Sequence, residues 1–201
     1  MNSVFCDVLF PTFVVYTENE NLITKKIVNT SRDIITENID KPFHSPCLST
    51  VKTFGNVLDL PEFIEIKNAI INTLSAYIQR TRIVRDNLKF SGSWLNLYNE
   101  HGYQDLHLHS DSMLSGVFYL KSDGNKDLIF QSPYHFFQAN TPDFEEHNLD
   151  NCRNVEYASK VGRCFIFPSH WLIIEYMASN STSHLSRPWT SRPGSGVGAR
   201  G

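Results

Sequence analysis

The stretch YQDLHLHSDSMLSGVFYL, residues 103–120, places two histidines and two acids just ahead of an apolar, aromatic run. Alternate residues of an extended strand project to one side, so His107, His109 and Asp111 are expected to reach the same place. A polar strand edge turned to water accounts for such residues without further purpose. Two imidazoles and a carboxylate are also the donors of a non-haem Fe(II) site, in which three protein ligands fill one face of the coordination sphere and leave the other open. His109-Ser-Asp111 alone is a weak signal, because short motifs match by chance. The surrounding chain has to carry the argument.

Downstream of Leu88 the sequence breaks into short apolar runs separated by turn residues: LKFSGSWLNLYNE, LHLHS, LSGVFYLKS, LIFQSP and VGRCFIFPS. Closely spaced short strands of this kind predict an antiparallel sandwich or barrel rather than a parallel sheet. Upstream, VLFPTFVVYTE (residues 8–18) reads as an edge strand and residues 19–39 as a surface helix. Residues 40–58, with two prolines and a glycine, read as a long loop. Residues 60–80 give the clearest helix, with Pro61 in the first turn and Phe63, Ile66, Ile70, Ile71, Leu74 and Tyr77 forming an apolar stripe. The whole predicts a mainly β domain with flanking helices packed on one face.

Composition narrows the function classes. A hydrophobic share of 41%, 14 Phe and 8 Tyr belong to a folded chain, and a net charge of −3 gives no field that favours nucleic acid or an anionic membrane. No segment approaches the roughly 20 apolar residues of a membrane span. Cys6, Cys47, Cys152 and Cys164 are scattered, without a CxxC pair, and read as reduced thiols of a cytoplasmic protein. His44, His101, His135 and His147 lie in loop-like surroundings, where a solvated surface histidine is the default. After Glu175 the chain carries no acid, three arginines and much Ser, Gly and Pro. Residues 1–176 are therefore expected to form the domain and residues 177–201 a disordered tail.

The segments SWLNLYNEHGYQDLHLHSDSMLSGVFYL, DLIFQSP and GRCFIFPSH resemble the 2-oxoglutarate- and Fe(II)-dependent oxygenases of marine phages and bacteria, in the prolyl-hydroxylase-like branch of that superfamily. The resemblance covers about residues 8–170. It implies a double-stranded β-helix (a jelly roll, cupin-like), with Fe(II) in the barrel mouth and 2-oxoglutarate as co-substrate. Ascorbate is a further expected cofactor, the substrate an unknown small molecule or protein, and a homodimer the expected assembly. Related hydroxylases carry a co-substrate tyrosine about ten residues before the first ligand histidine, and Tyr98 stands nine before His107. That favours His107 as first ligand, with His109 in the place of the carboxylate and Asp111 as substitute ligand or supporting partner. His109 with Asp111 is the alternative assignment. Tyr119 is a candidate co-substrate contact on a strand that also suits the core.

The resemblance breaks after FPS. The implied distal ligand histidine and the arginine that clamps the far carboxylate of 2-oxoglutarate have no match in HWLIIEYMASNSTSHLSRPWTSRPGSGVGARG, and the strand that should carry them is not expected there. His170 stands too near the turn, and His184, Arg187 and Arg192 fall in the tail. If Ile173 is encoded ATC and Ile174 ATA or ATC, a one-base shift of reading frame spells His-Arg-Val at this place. As written, the chain is expected to be a poor or inactive copy, so a degenerate jelly-roll binding domain stands as the alternative function. Residues 134–157 are long, aromatic and polar, and suit a lid or a plain surface insertion.

Overall fold

The structure, a computed structural model, describes residues 11–38, 47–84, 88–98, 102–124, 126–133 and 143–177. It is mainly β, with two long helices, and every strand pairing is antiparallel. One sheet has the order β1 (Val15–Glu18), β8 (Arg163–Pro168), β5 (Leu114–Phe118). The second has the order β4 (Gln104–His107), β9 (Ile173–Met177), β6 (Lys126–Gln131), β7 (Asn154–Ala158). A separate pair joins β2 (Cys47–Ser49) to β3 (Asn96–Tyr98).

The two larger sheets share one core. Phe165 and Phe167 of β8 meet Leu128 and Phe130 of β6 and Ile173 of β9, with Val117, Tyr119, Tyr157 and Trp171 packed around them. Phe130 touches Phe167, Trp171 and Tyr157 edge-on, an arrangement that suits the ring quadrupoles. Helix α2 (Ile64–Thr81) lies on the other side of β1 and β8, tied to β1 by a 2.7 Å hydrogen bond between the Thr73 and Thr17 hydroxyls. Covered on both faces, β8 is buried at every position, which is why RCFIFP reads as a continuous apolar run rather than an alternating one. Helix α1 (Lys25–Asn38) completes a second core of Ile27, Ile35, Val57, Phe63, Ile66 and Leu95.

Two glycines are dictated by backbone geometry. Gly162 turns the chain into β8 at φ +76°, and a Cβ there would lie 2.4 Å from the Asn19 carbonyl carbon. A Cβ on Gly116 would stand 2.9 Å from the Phe165 carbonyl oxygen, so the close approach of β5 to β8 requires its absence.

Three expectations are corrected. The loop over 40–58 contains β2, and a short 3-10 turn at Val57–Asp59. The segment 134–157 ends in the strand β7, while its residues 134–142 lie outside the described part. A strand does follow the FPS turn: Ile173–Met177 forms β9 in the middle of the second sheet. Its β-branched Ile173 and Ile174 pair with Phe130 and Ile129 of β6, and Ile173 also with His107 of β4. Pairing on both sides outweighs the polar sequence that follows. Residues 178–201, and with them nearly all of the expected tail, lie outside the described residues. Among those described, no helix is long and apolar enough to cross a membrane.

Candidate functional site

The two histidines stand where the chain leaves one sheet for the other. His107 ends β4, whose pairing with β9 is irregular between Gln104 and His107. Residues 108–113 then cross to the start of β5, turning at Ser110 and Asp111. The crossing is stapled to the residue after β8: the His109 N–H donates to the Ser169 carbonyl (3.0 Å), and the Ser169 N–H donates to the Met113 carbonyl (3.1 Å). Strand alternation therefore ends at His107. The expected three-residue comb is replaced by two imidazoles held from different sides, with Asp111 exposed in the turn and approached by the Ser110 hydroxyl at 3.4 Å.

The rings of His107 and His109 lie 5.2 Å apart between centroids, inclined by 51°. Each has its Nδ1 engaged: that of His107 with the Asp105 carbonyl at 2.8 Å, that of His109 with the Ser115 hydroxyl at 2.6 Å. The Ser115 hydroxyl in turn shares a 2.7 Å hydrogen bond with that of Ser169. Neither Nε2 has a hydrogen-bond partner among the described residues. Trp94 meets His109 edge-on at 5.7 Å and walls one side. Burial, and to a lesser extent the neighbouring His107, hold the pKa of His109 below the ordinary histidine value, so its ring is neutral at physiological pH.

Neutral imidazoles anchored through Nδ1 are the form in which histidine binds a divalent metal. In that respect the donor chemistry fits Fe(II). The third donor is another matter. Among the described residues no group of three His, Cys, Asp or Glu side chains is placed to hold a metal ion. Across the ladder from His107, on the same face, stands Ile173, which is 2% exposed and part of the core.

Tyr98 lies on β3, outside the two larger sheets, and its hydroxyl donates to the Gln104 Oε1 at 2.9 Å, where β4 begins. Tyr119 follows β5 at the end remote from the histidines. It lies four residues, or roughly 13 Å of extended chain, beyond Ser115, packed edge-on to Phe165 and bonded through its backbone to Arg163 and Gly162. The structure thus brings His107 and His109 together, sets Asp111 in the adjoining turn, and places Tyr98 and Tyr119 elsewhere. Trp94, Ser115 and Ser169 are additions. Ser169 lies 54 residues from Ser115, a distance no local motif spans.

No curated protein matches the chain. Residues 92–184, which carry β3 to β9 and both histidines, match the family model described as "Putative 2OG-Fe(II) oxygenase", and it is to this family that the site-bearing part of the chain is similar.

Proposed function

We propose that this chain is a non-haem Fe(II)- and 2-oxoglutarate-dependent dioxygenase of the jelly-roll type, hydroxylating a small-molecule or protein substrate, with the paired His107 and His109 as its metal donors. The observation that carries the reading is the histidine pair: two imidazole rings 5.2 Å apart, each tied at Nδ1, at the end of a two-sheet aromatic core. The family match over residues 92–184 supports it. When bound, the metal with its co-substrate supplies the oxidation of a substrate C–H bond. The chain's own residues do the rest. His107 and His109 position the metal, Trp94 shields His109 from one side, and Phe130, Phe167 and Trp171 keep the adjoining interior apolar.

The test is an anaerobic titration of the full chain with Fe(II) and 2-oxoglutarate. The proposal expects the weak visible charge-transfer band of the chelated complex, abolished in His107→Ala. A chain that binds Fe(II) without the band, or neither ligand, counts against it.

A second reading, a binding domain of the same architecture without turnover, is favoured by one observation: Ile173, not a donor, faces His107 across the ladder. Two imidazoles hold a metal weakly, and losing one ligand or its support typically costs about 10–100-fold in affinity. On that reading Ile173→His gains at least tenfold in Co(II) affinity over the natural chain. An unchanged affinity would remove this alternative.

A further inference from the structure

Trp94 is an exposed aromatic side chain on a backbone fixed from behind. The Ser93 N–H donates to the Gly55 carbonyl (2.7 Å), and the Ser93 carbonyl accepts from the Val57 N–H (3.0 Å). Leu95 is buried in the core that helix α1 completes. Its N–H donates to the Thr50 hydroxyl (3.1 Å), and its carbonyl accepts from the Thr50 N–H (3.0 Å). Held between these two residues, Trp94 meets His109 with the rings at 82°, so the edge of one lies against the face of the other. In either arrangement at least one face of the indole is not used by the imidazole, and the residue is 38% exposed.

A single exposed aromatic is ordinary on a protein surface. Trp94 has company. Leu108, between the two histidines, is 46% exposed, and Met113 is 60% exposed. The segments that carry Trp94 and Met113 are tied by the Ser91 and Ser112 hydroxyls at 3.1 Å. The polar groups of these segments are engaged with protein atoms: Ser91 with Ser112, Ser115 with Ser169, and Nδ1 of each histidine with Asp105 or Ser115. Residues 90–120 contain no Lys or Arg, and the acids described there, Asp105 and Asp111, are exposed. These segments therefore offer apolar area beside the histidines and no cation to hold an anionic group.

We propose that Trp94 is a specificity-determining residue: the part of the substrate presented to the histidines is an uncharged aromatic ring, packed on the open face of the Trp94 indole with Leu108 and Met113 at its rim. The inference deepens the proposed function by naming a substrate class, and it rests on that reading for the place of reaction. A ring suits this wall better than an aliphatic group of equal size, because ring pairs add a quadrupole attraction to the burial of area. The fixed backbone of Ser93 and Leu95 sets the wall before the ligand arrives, so little ordering is left to oppose binding.

The test uses the full, metal-free chain labelled with 5-fluorotryptophan, indole as the probe, and ¹⁹F NMR. The Trp94 resonance is assigned by its loss in Trp94→Phe. Indole should shift it saturably and leave that of Trp171, in the core, unmoved. Benzoate, an anionic ring, and cyclohexanol, an uncharged aliphatic one, should bind severalfold more weakly. Followed from the signal of indole itself, Trp94→Ala should lose about tenfold in affinity, and Trp94→Phe, which keeps a ring, should retain most of it. Capped Gly-Trp-Gly distinguishes the source of the ring: tighter binding than indole assigns it to a polypeptide, weaker binding to a free small molecule, and either upholds the proposal. A Trp94 signal indifferent to indole, benzoate or cyclohexanol bound as tightly as indole, or a W94F chain as weak as W94A would each overturn it. Indole bound at Trp94 by a chain that takes no Fe(II) upholds the ring site and counts against the oxygenase, whereas Fe(II) taken up by a chain indifferent to indole does the reverse.

Discussion

Strand β8 runs between two polar clusters that treat their hydrogen bonds in opposite ways. At its start the Arg163 side chain, 7% exposed as a residue, binds Glu18 through Nε and Nη2 and the Ala158 carbonyl through Nη1, and its guanidinium lies 5.5 Å from the Tyr16 ring and 5.8 Å from that of Phe165. Lys160 adds a second cation 3.7 Å from Glu18. Beyond its other end Ser169, Ser115 and His109 form a chain that terminates on an unshared nitrogen beside His107. The first cluster answers a buried charge with protein atoms and has little capacity left. The second holds its members as firmly from behind and leaves their front atoms unused, which distinguishes a site from a structural clamp.

The largest expected effect comes from the wall that joins the two ends. Phe165 is fully buried and touches Tyr16, Tyr119, Phe130 and Tyr157. Phe165→Ala should cost about 3–5 kcal/mol, seen as a lower urea midpoint, and should weaken both clusters together. A loss below about 1 kcal/mol would mean that the two sheets do not share this core.

Arg163→Ala breaks the closed end alone. Glu18 keeps nearly half of its side-chain exposure, so water recovers part of the lost pairing, and about 1–3 kcal/mol is expected. Zinc affinity at the other end should not move. A parallel fall in affinity, measured on chain still fully folded, would erase the distinction between the clusters. His107→Ala is the mirror experiment, with under about 1 kcal/mol of stability lost and zinc binding abolished.

The same contrast explains what could be read from the sequence. The helix at Ile64–Thr81 and the runs that become β5, β6 and β8 are legible because burial repeats with local period or fills a whole strand. The pairing of His107 with His109 is legible as well, since two residues separate little whatever the backbone does. Asp111 is not, because the chain changes sheets after His107 and strand alternation stops there. β9 escapes because the sequence that follows it is polar and its stability comes from β4 and β6, which pair with it from 42 or more residues away. Ser169 escapes for the same reason: its role exists only once β5 and β8 are side by side, with Leu114 opposite Pro168.

The finest expected difference between the two ends is in acid. The hydrogen bond from Arg163 holds the Glu18 carboxyl below its usual value of 4.5, against an opposing contribution from burial, with the charges of Arg163 and Lys160 adding to the lowering. A carboxylate whose folded pKa is depressed binds its proton more readily in the unfolded chain. Its contribution is therefore complete above the unfolded value and is lost as pH falls through the folded one. Stability should thus decline below about pH 4.5. Glu18→Gln should flatten that part of the profile and leave the slope above pH 5 unchanged, whereas His107→Ala should not alter the acid limb at all. Urea midpoints at half-unit steps of pH resolve the two, and an E18Q profile that follows wild type down through pH 4 would show that the Arg163 clamp does not depend on the ionised carboxylate.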